Sequence, residues 1–91
     1  MLPGLIEESD TCLAIEHPKP QRGSKHHLVL FPKADIKNIA EVAEIDSPYV
    51  FGCFALVRRI KERFEIKNYK VETNGPERQH LSYLHFHLIS Y

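Results

Sequence analysis

A chain of 91 residues, 43% hydrophobic and 26% charged, has the make-up of one folded domain, 1–91, and excludes a disordered tail. Its 12 basic and 12 acidic residues cancel, which leaves no whole-molecule field to hold nucleic acid or a membrane surface, and no apolar run approaches the roughly 18 residues that span a bilayer. Six histidines are the compositional outlier and the first pointer to a site.

Residues 5–6 and 13–15 read as short strands around the acidic turn 7–10. Cys12 lies beside the second of them. With Cys53 and no CxxC spacing, it is expected to be a reduced, buried thiol of a cytoplasmic protein rather than part of a disulfide or a zinc site. The opening MLPGLIEESD lacks a basic start and a long apolar stretch, so no signal peptide is expected. Residues 17–24, with Pro18, Pro20 and Gly23, read as a loop. The run 27–31 is a β-rich strand closed by Pro32. Ile36, Ile39 and Val42 are three apart and predict a short helix over 35–42.

Asp46, Ser47 and Pro48 give a helix start, with a capping residue and a proline in the first turn. Val50, Phe51, Phe54, Val57, Ile60 and Phe64 then recur at threes and fours. They predict an amphipathic helix from near Pro48 to Phe64 or Glu65. Phe51, Phe54 and Phe64 read as core, and Val50, Phe51 and Phe54 as the stretch nearest a subunit interface. Arg58, Arg59, Lys61 and Arg63 read as its solvated face. Residues 69–73 alternate as a strand, 74–76 form a turn, and 81–89 form the last strand. The neighbouring strands suggest hairpins and so an α+β fold, an antiparallel sheet with helix packed on one face, while the helical segment between strands also allows a parallel crossover.

The chemistry concentrates in that last strand. Side chains alternate across a strand, so Tyr83, His85 and His87 are expected on one face and Leu84, Phe86 and Leu88 on the other. Two imidazoles on one rigid strand can divide the work at phosphorus. One attacks, and the other stabilises phosphoryl oxygens or protonates a leaving group. The same spacing also suits a pair of metal ligands, or histidines on a solvated sheet face with no function.

Residues 74–79, Asn-Gly-Pro-Glu-Arg-Gln, followed by Tyr83-Leu84-His85-Phe86-His87-Leu88-Ile89, resemble the histidine triad (HIT) superfamily, whose pattern is a glycine turn, a glutamine, then His-φ-His-φ-His-φ-φ. Residues 8–15 resemble that family's first strands, and His27-Leu28-Val29-Leu30-Phe31-Pro32-Lys33 its following strand. The resemblance runs from about Ile6 to Ser90. It implies a sheet of about five antiparallel strands with two helices, a homodimer, and hydrolysis or transfer at the α-phosphate of a nucleotide conjugate. By the same resemblance His85 is the nucleophile and His87 contacts phosphate oxygens. Gln79 lies near the scissile bridge, His27 beside the triad, and Asn74 in the phosphate loop. Tyr83 stands at the first triad position. His80 replaces a small hydroxyl residue, and His17 falls near the family's ribose-binding acid. His26 stands where the family has glycine, and Asp35 where it has histidine.

These departures imply weak nucleotide binding and slow turnover, or a binding module without turnover. A zinc site of His27, His85 and His87 is the second rival. Neither cofactor nor metal is required, because imidazoles and backbone donors can take up the developing charge. The expected partners are a nucleotide or nucleotide conjugate and a second copy of the chain, not nucleic acid or a membrane.

Overall fold

In the computed structural model, which describes residues 4–91, the strands are β1 (Leu5–Glu8), β2 (Cys12–Glu16), β3 (His26–Pro32), β4 (Tyr69–Glu72) and β5 (Phe86–Ser90). Helix α1 (Ser47–Arg63) joins the two halves. The five strands form one sheet in the order β1-β2-β3-β5-β4, and every pair is antiparallel. The β1–β2 turn is held by Ser9, whose Oγ accepts from the amides of Thr11 (3.3 Å) and Cys12 (3.2 Å).

Register sorts the side chains. Ala14 lies opposite Leu30, and Leu28 opposite Leu88, so these residues share one face with Cys12 and Phe86. That face is buried under α1, which contributes Cys53, Leu56, Val57 and Ile60. Ile15 lies opposite Val29, and Val29 opposite His87, so the other face carries Ile15, His27, Val29, His87 and Ile89. The helix seals one side of the sheet and leaves the histidine side uncovered.

Helix and sheet meet closely at Gly52, where a Cβ would stand 1.9 Å from Thr11 Oγ1 and 2.7 Å from Thr11 Cβ. One residue on, the Cys53 sulfur lies 2.8 Å from that of Cys12, with both side chains fully buried and free of a disulfide. Cys12 and burial push the Cys53 thiol up, so it stays protonated.

Four expectations of local structure change. Residues 35–42 form no α-helix. Asn38 instead caps a 3-10 turn, Ile39–Glu41, through the Ala40 amide (2.9 Å). The Ile36 carbonyl is committed to the Leu84 amide (2.8 Å), a tertiary bond that outweighs the three-residue periodicity. The last strand begins at Phe86 rather than 81, because that same bond draws residue 84 out of the ladder. Phe51 and Phe54 are 72% and 48% exposed and are not core. The buried stripe of α1 runs through Cys53 and Leu56 instead, placing Phe51 and Phe54 on the flank.

Asp46 does not cap α1, since its carboxylate accepts from the Ala43 amide (2.9 Å). The basic residues of α1 are largely paired: Arg59 and Arg63 hold Glu7 (2.8 and 3.2 Å), and Arg58 faces Glu62 (3.5 Å). Among the described residues, no helix is long and apolar enough to cross a membrane.

Candidate functional site

The uncovered face closes into a cavity of about 460 Å³, within the range of small-molecule sites, about 300–1,000 Å³. Ile15, Pro18, Val29, Phe31, Leu81 and Ile89 form its apolar part; His17, Gln21, His27, Glu72, Asn74, His80, His85 and His87 line the remainder. The rings touch in sequence. His17 stacks on His27 (4.3 Å between centroids, 24° between planes), His27 lies 5.1 Å from His87, and His87 lies 5.1 Å from His85.

Backbone groups decide where each imidazole carries its proton. Nδ1 of His85 lies 2.7 Å from the Tyr83 carbonyl, which only accepts, so Nδ1 bears the hydrogen and Nε2 keeps a lone pair. The His85 carbonyl in turn accepts from Thr73 Oγ1 (2.7 Å), which extends the β4–β5 pairing and fixes this residue's backbone. His27 has the opposite tautomer. Its Nδ1 accepts from the Gln21 amide (2.8 Å), leaving Nε2–H to donate to Nδ1 of His87 (2.9 Å). His87 therefore carries its hydrogen on Nε2. His17 repeats the pattern, with Nδ1 accepting from the Lys19 amide (2.9 Å). Residues 18 and 20 are prolines without N–H, so the donors of this loop fall at 19 and 21.

The cluster favours neutral rings. Burial, followed by the neighbouring imidazoles of His85, His27 and His17, pulls His87 down to about 4. Burial and then His17 lower His27, and burial and then His85 lower His17. The geometry thus combines a free imidazole lone pair on His85 with an N–H donor on His87.

His17, His27 and His87 place a ring nitrogen each within 4.8 Å of one another, a spacing that by itself suggests a metal. Their hydrogen bonds do not fit that role. A ligating imidazole binds through one nitrogen and donates from the other to a carbonyl, carboxylate or water. In His17 and His27 the other nitrogen faces a backbone N–H, so ligation through Nε2 would set two hydrogens against each other. The trio expected from sequence, His27, His85 and His87, is also not the one that converges.

Not every candidate residue reaches the cavity. Tyr83 does not line this cavity. Its hydroxyl donates to the Pro32 carbonyl (2.6 Å), and its side chain borders a separate hollow with Phe31, Leu13 and Leu81. Its ring centre lies 6.0 Å from that of Phe31, a residue of the histidine face whose ring is 5.7 Å from His85, so the phenol borders the site while its carbonyl holds His85 Nδ1. Gln79 points away, its amide donating to the Lys37 carbonyl (3.1 Å). His26 faces the helix side, bonded to Ser90 (2.9 Å) and near Phe64. The loop amides of Lys19 and Gln21 and the Thr73 hydroxyl were not expected from sequence; the His-Pro-Lys-Pro-Gln spacing is the signal that marks the first two.

The family model described as scavenger mRNA decapping enzyme C-terminal binding matches residues 4–91. No curated protein matches by sequence. Among solved structures, a HIT family hydrolase from Legionella pneumophila Philadelphia 1 is similar at TM-score 0.88 and 21% identity, over 99% of this chain and 82% of that one. A histidine triad protein from Clostridium difficile has TM-score 0.88 at 17% identity, over 100% and 81%. A HIT family hydrolase from Clostridium thermocellum has TM-score 0.88 at 23% identity, with the same coverage of 100% and 81%. The cavity's imidazoles stand on a sheet common to these structures, and the family match spans all the described residues: the chain belongs to the family of the scavenger mRNA decapping enzyme C-terminal binding domain, within the histidine triad superfamily.

Proposed function

We propose that the chain binds a nucleotide conjugate and transfers its nucleotidyl group through His85 to water or another acceptor. The observation that carries this reading is the His85 tautomer: with Nδ1–H tied to the Tyr83 carbonyl, Nε2 offers its lone pair beside the cavity. Nε2 attacks the α-phosphorus and forms an N–P bond as the bond to the leaving group breaks. The leaving alcohol or amine takes its proton from solvent. Water then attacks phosphorus, breaks the N–P bond and returns His85 to its neutral form, giving the nucleoside monophosphate. His87 donates Nε2–H to a phosphoryl oxygen, and His27 positions His87. The apolar floor of Ile15, Val29, Phe31 and Ile89 suits a base.

A second reading, binding without turnover, is favoured by Gln79 and Tyr83, whose polar ends are bonded outside the cavity. Single-turnover assay of an adenosine 5′-phosphoramidate separates the two. Acid-labile nucleotidyl-protein that is absent from His85→Ala supports transfer. Adenosine monophosphate binding with no turnover supports the module. We also assign a homodimer to this fold. Phe54 and Val71 border one hollow beside edge strand β4, Phe51 is exposed one turn earlier on α1, and burying these side chains in a second copy would complete a thin core.

A further inference from the structure

We propose that His17 is a phosphoryl-oxygen donor, a second N–H contact that acts with His87 on the group attacked by His85. This rests on the nucleotidyl-transfer reading above. His17 follows β2 directly, and its ring lies in the cavity wall, stacked on His27 and 5.8 Å from the centre of His87. The Lys19 amide occupies its Nδ1, so the neutral ring carries hydrogen on Nε2. His27 spends its own Nε2–H on His87. Of these three rings, His17 and His87 are therefore the two with an N–H left to give.

Their spacing fits one tetrahedral anion. The centres of the two rings lie 5.8 Å apart on one cavity wall, and two N–H···O bonds of about 2.9 Å bridge such a gap through two oxygens of one phosphoryl group. A metal fits this cluster less well, because the loop amides already occupy the nitrogens from which ligating rings would donate. Stacking on His27 would need only a flat ring. The amide at Lys19, flanked by two prolines, does something a flat ring does not require: it sets which nitrogen carries the hydrogen. A carboxylate at this place would repel the phosphoryl oxygens, whereas a neutral N–H attracts them.

Two variants separate donation from stacking. His17→Phe keeps a ring against His27 and removes the N–H. His17→Gln removes the ring and keeps an N–H at similar reach. In single turnover of an adenosine 5′-phosphoramidate, His17→Phe is expected to lose roughly 10–100-fold in rate, and His17→Gln to stay within a few-fold of the unmodified chain. Calorimetry with adenosine monophosphate should follow the same order. A His17→Phe protein as active as the unmodified chain, or a His17→Gln protein as impaired as His17→Phe, overturns the assignment. Histidine ¹⁵N spectra of the unmodified chain test it without any variant: the Nε2–H tautomer of His17, shifting on addition of inorganic phosphate, supports it, and an Nδ1–H tautomer or an unmoved signal overturns it. If the chain shows no turnover while phosphate moves the His17 signal, transfer fails and the donor role stands.

Discussion

Acid should destabilise this protein earlier and more steeply than its carboxylates alone would allow, and His87 is the main reason. Its ring is half-buried among His27 from β3, His85 from its own strand and His17 from the end of β2, with Glu72 of β4 the one facing group that favours its charge. The folded chain holds it near 4, against about 6.5 in an unfolded chain. Between those values the unfolded state binds a proton that the folded state refuses, so stability is complete above pH 6.5, falls towards pH 4, and loses nothing more from this group below that. A fully sealed ring would account for about 3 kcal/mol; half-exposure to solvent reduces this to about 1–2 kcal/mol. For a domain of this size that lowers the unfolding midpoint by roughly 5–15 °C. Thermal unfolding from pH 7.5 to 4, followed by circular dichroism, measures it. His87→Asn removes the titrating ring and keeps an acceptor for His27, so its curve should be flatter over the same window. A midpoint unchanged down to pH 4.5, or a His87→Asn curve as steep as the original, refutes the neutral cluster.

His85→Ala should abolish nucleotidyl transfer while leaving the fold intact, read by single turnover and thermal melting. Tyr83→Phe loses its bond to the Pro32 carbonyl and should cost about 1 kcal/mol of stability. Its turnover should change less than a few-fold, because the carbonyl that orients His85 remains; a 100-fold loss would put the phenol in the reaction. Gly52→Ala should destabilise by about 1–3 kcal/mol or more, measured by urea unfolding, since the new methyl collides with Thr11 Cβ and no side-chain rotation relieves that. Phe51→Glu with Phe54→Glu should turn a dimer into monomers in analytical ultracentrifugation, and an unchanged sedimentation coefficient would remove this face from the interface.

Period-two alternation carried most of the site. It put His85 and His87 on one face of the last strand, and the register of β3 against β5 added His27. For Tyr83 it gave the neighbourhood but not the role: the phenol packs near Phe31 of that face, and its hydroxyl is spent on the Pro32 carbonyl rather than offered to the cavity. The Leu84–Ile36 bond replaced the expected helix over 35–42, where Ile36, Ile39 and Val42 satisfy a helical spacing that their backbone does not use. Phe51 and Phe54 misled for another reason: helical periodicity marks an apolar stripe without saying which half of it the sheet covers. The tautomers were out of reach, since they depend on two loop amides meeting two rings across space. Only the paired prolines at 18 and 20 hint at where those amides fall.

The strand order also governs when the molecule becomes whole. β1, β2 and β3 are neighbours in sequence and in space and can assemble as soon as they exist. β4 cannot, because among the described residues its partner in the sheet is β5, and β5 must also find β3 across more than fifty intervening residues. Chain closure over that distance is the slow step expected in folding. The strand that makes it carries His87, and its arrival brings His85 against Thr73 and His87 against His27. No partly folded form with β5 undocked can therefore hold the reactive pair in place, so the nucleophile is assembled only by the event that completes the sheet.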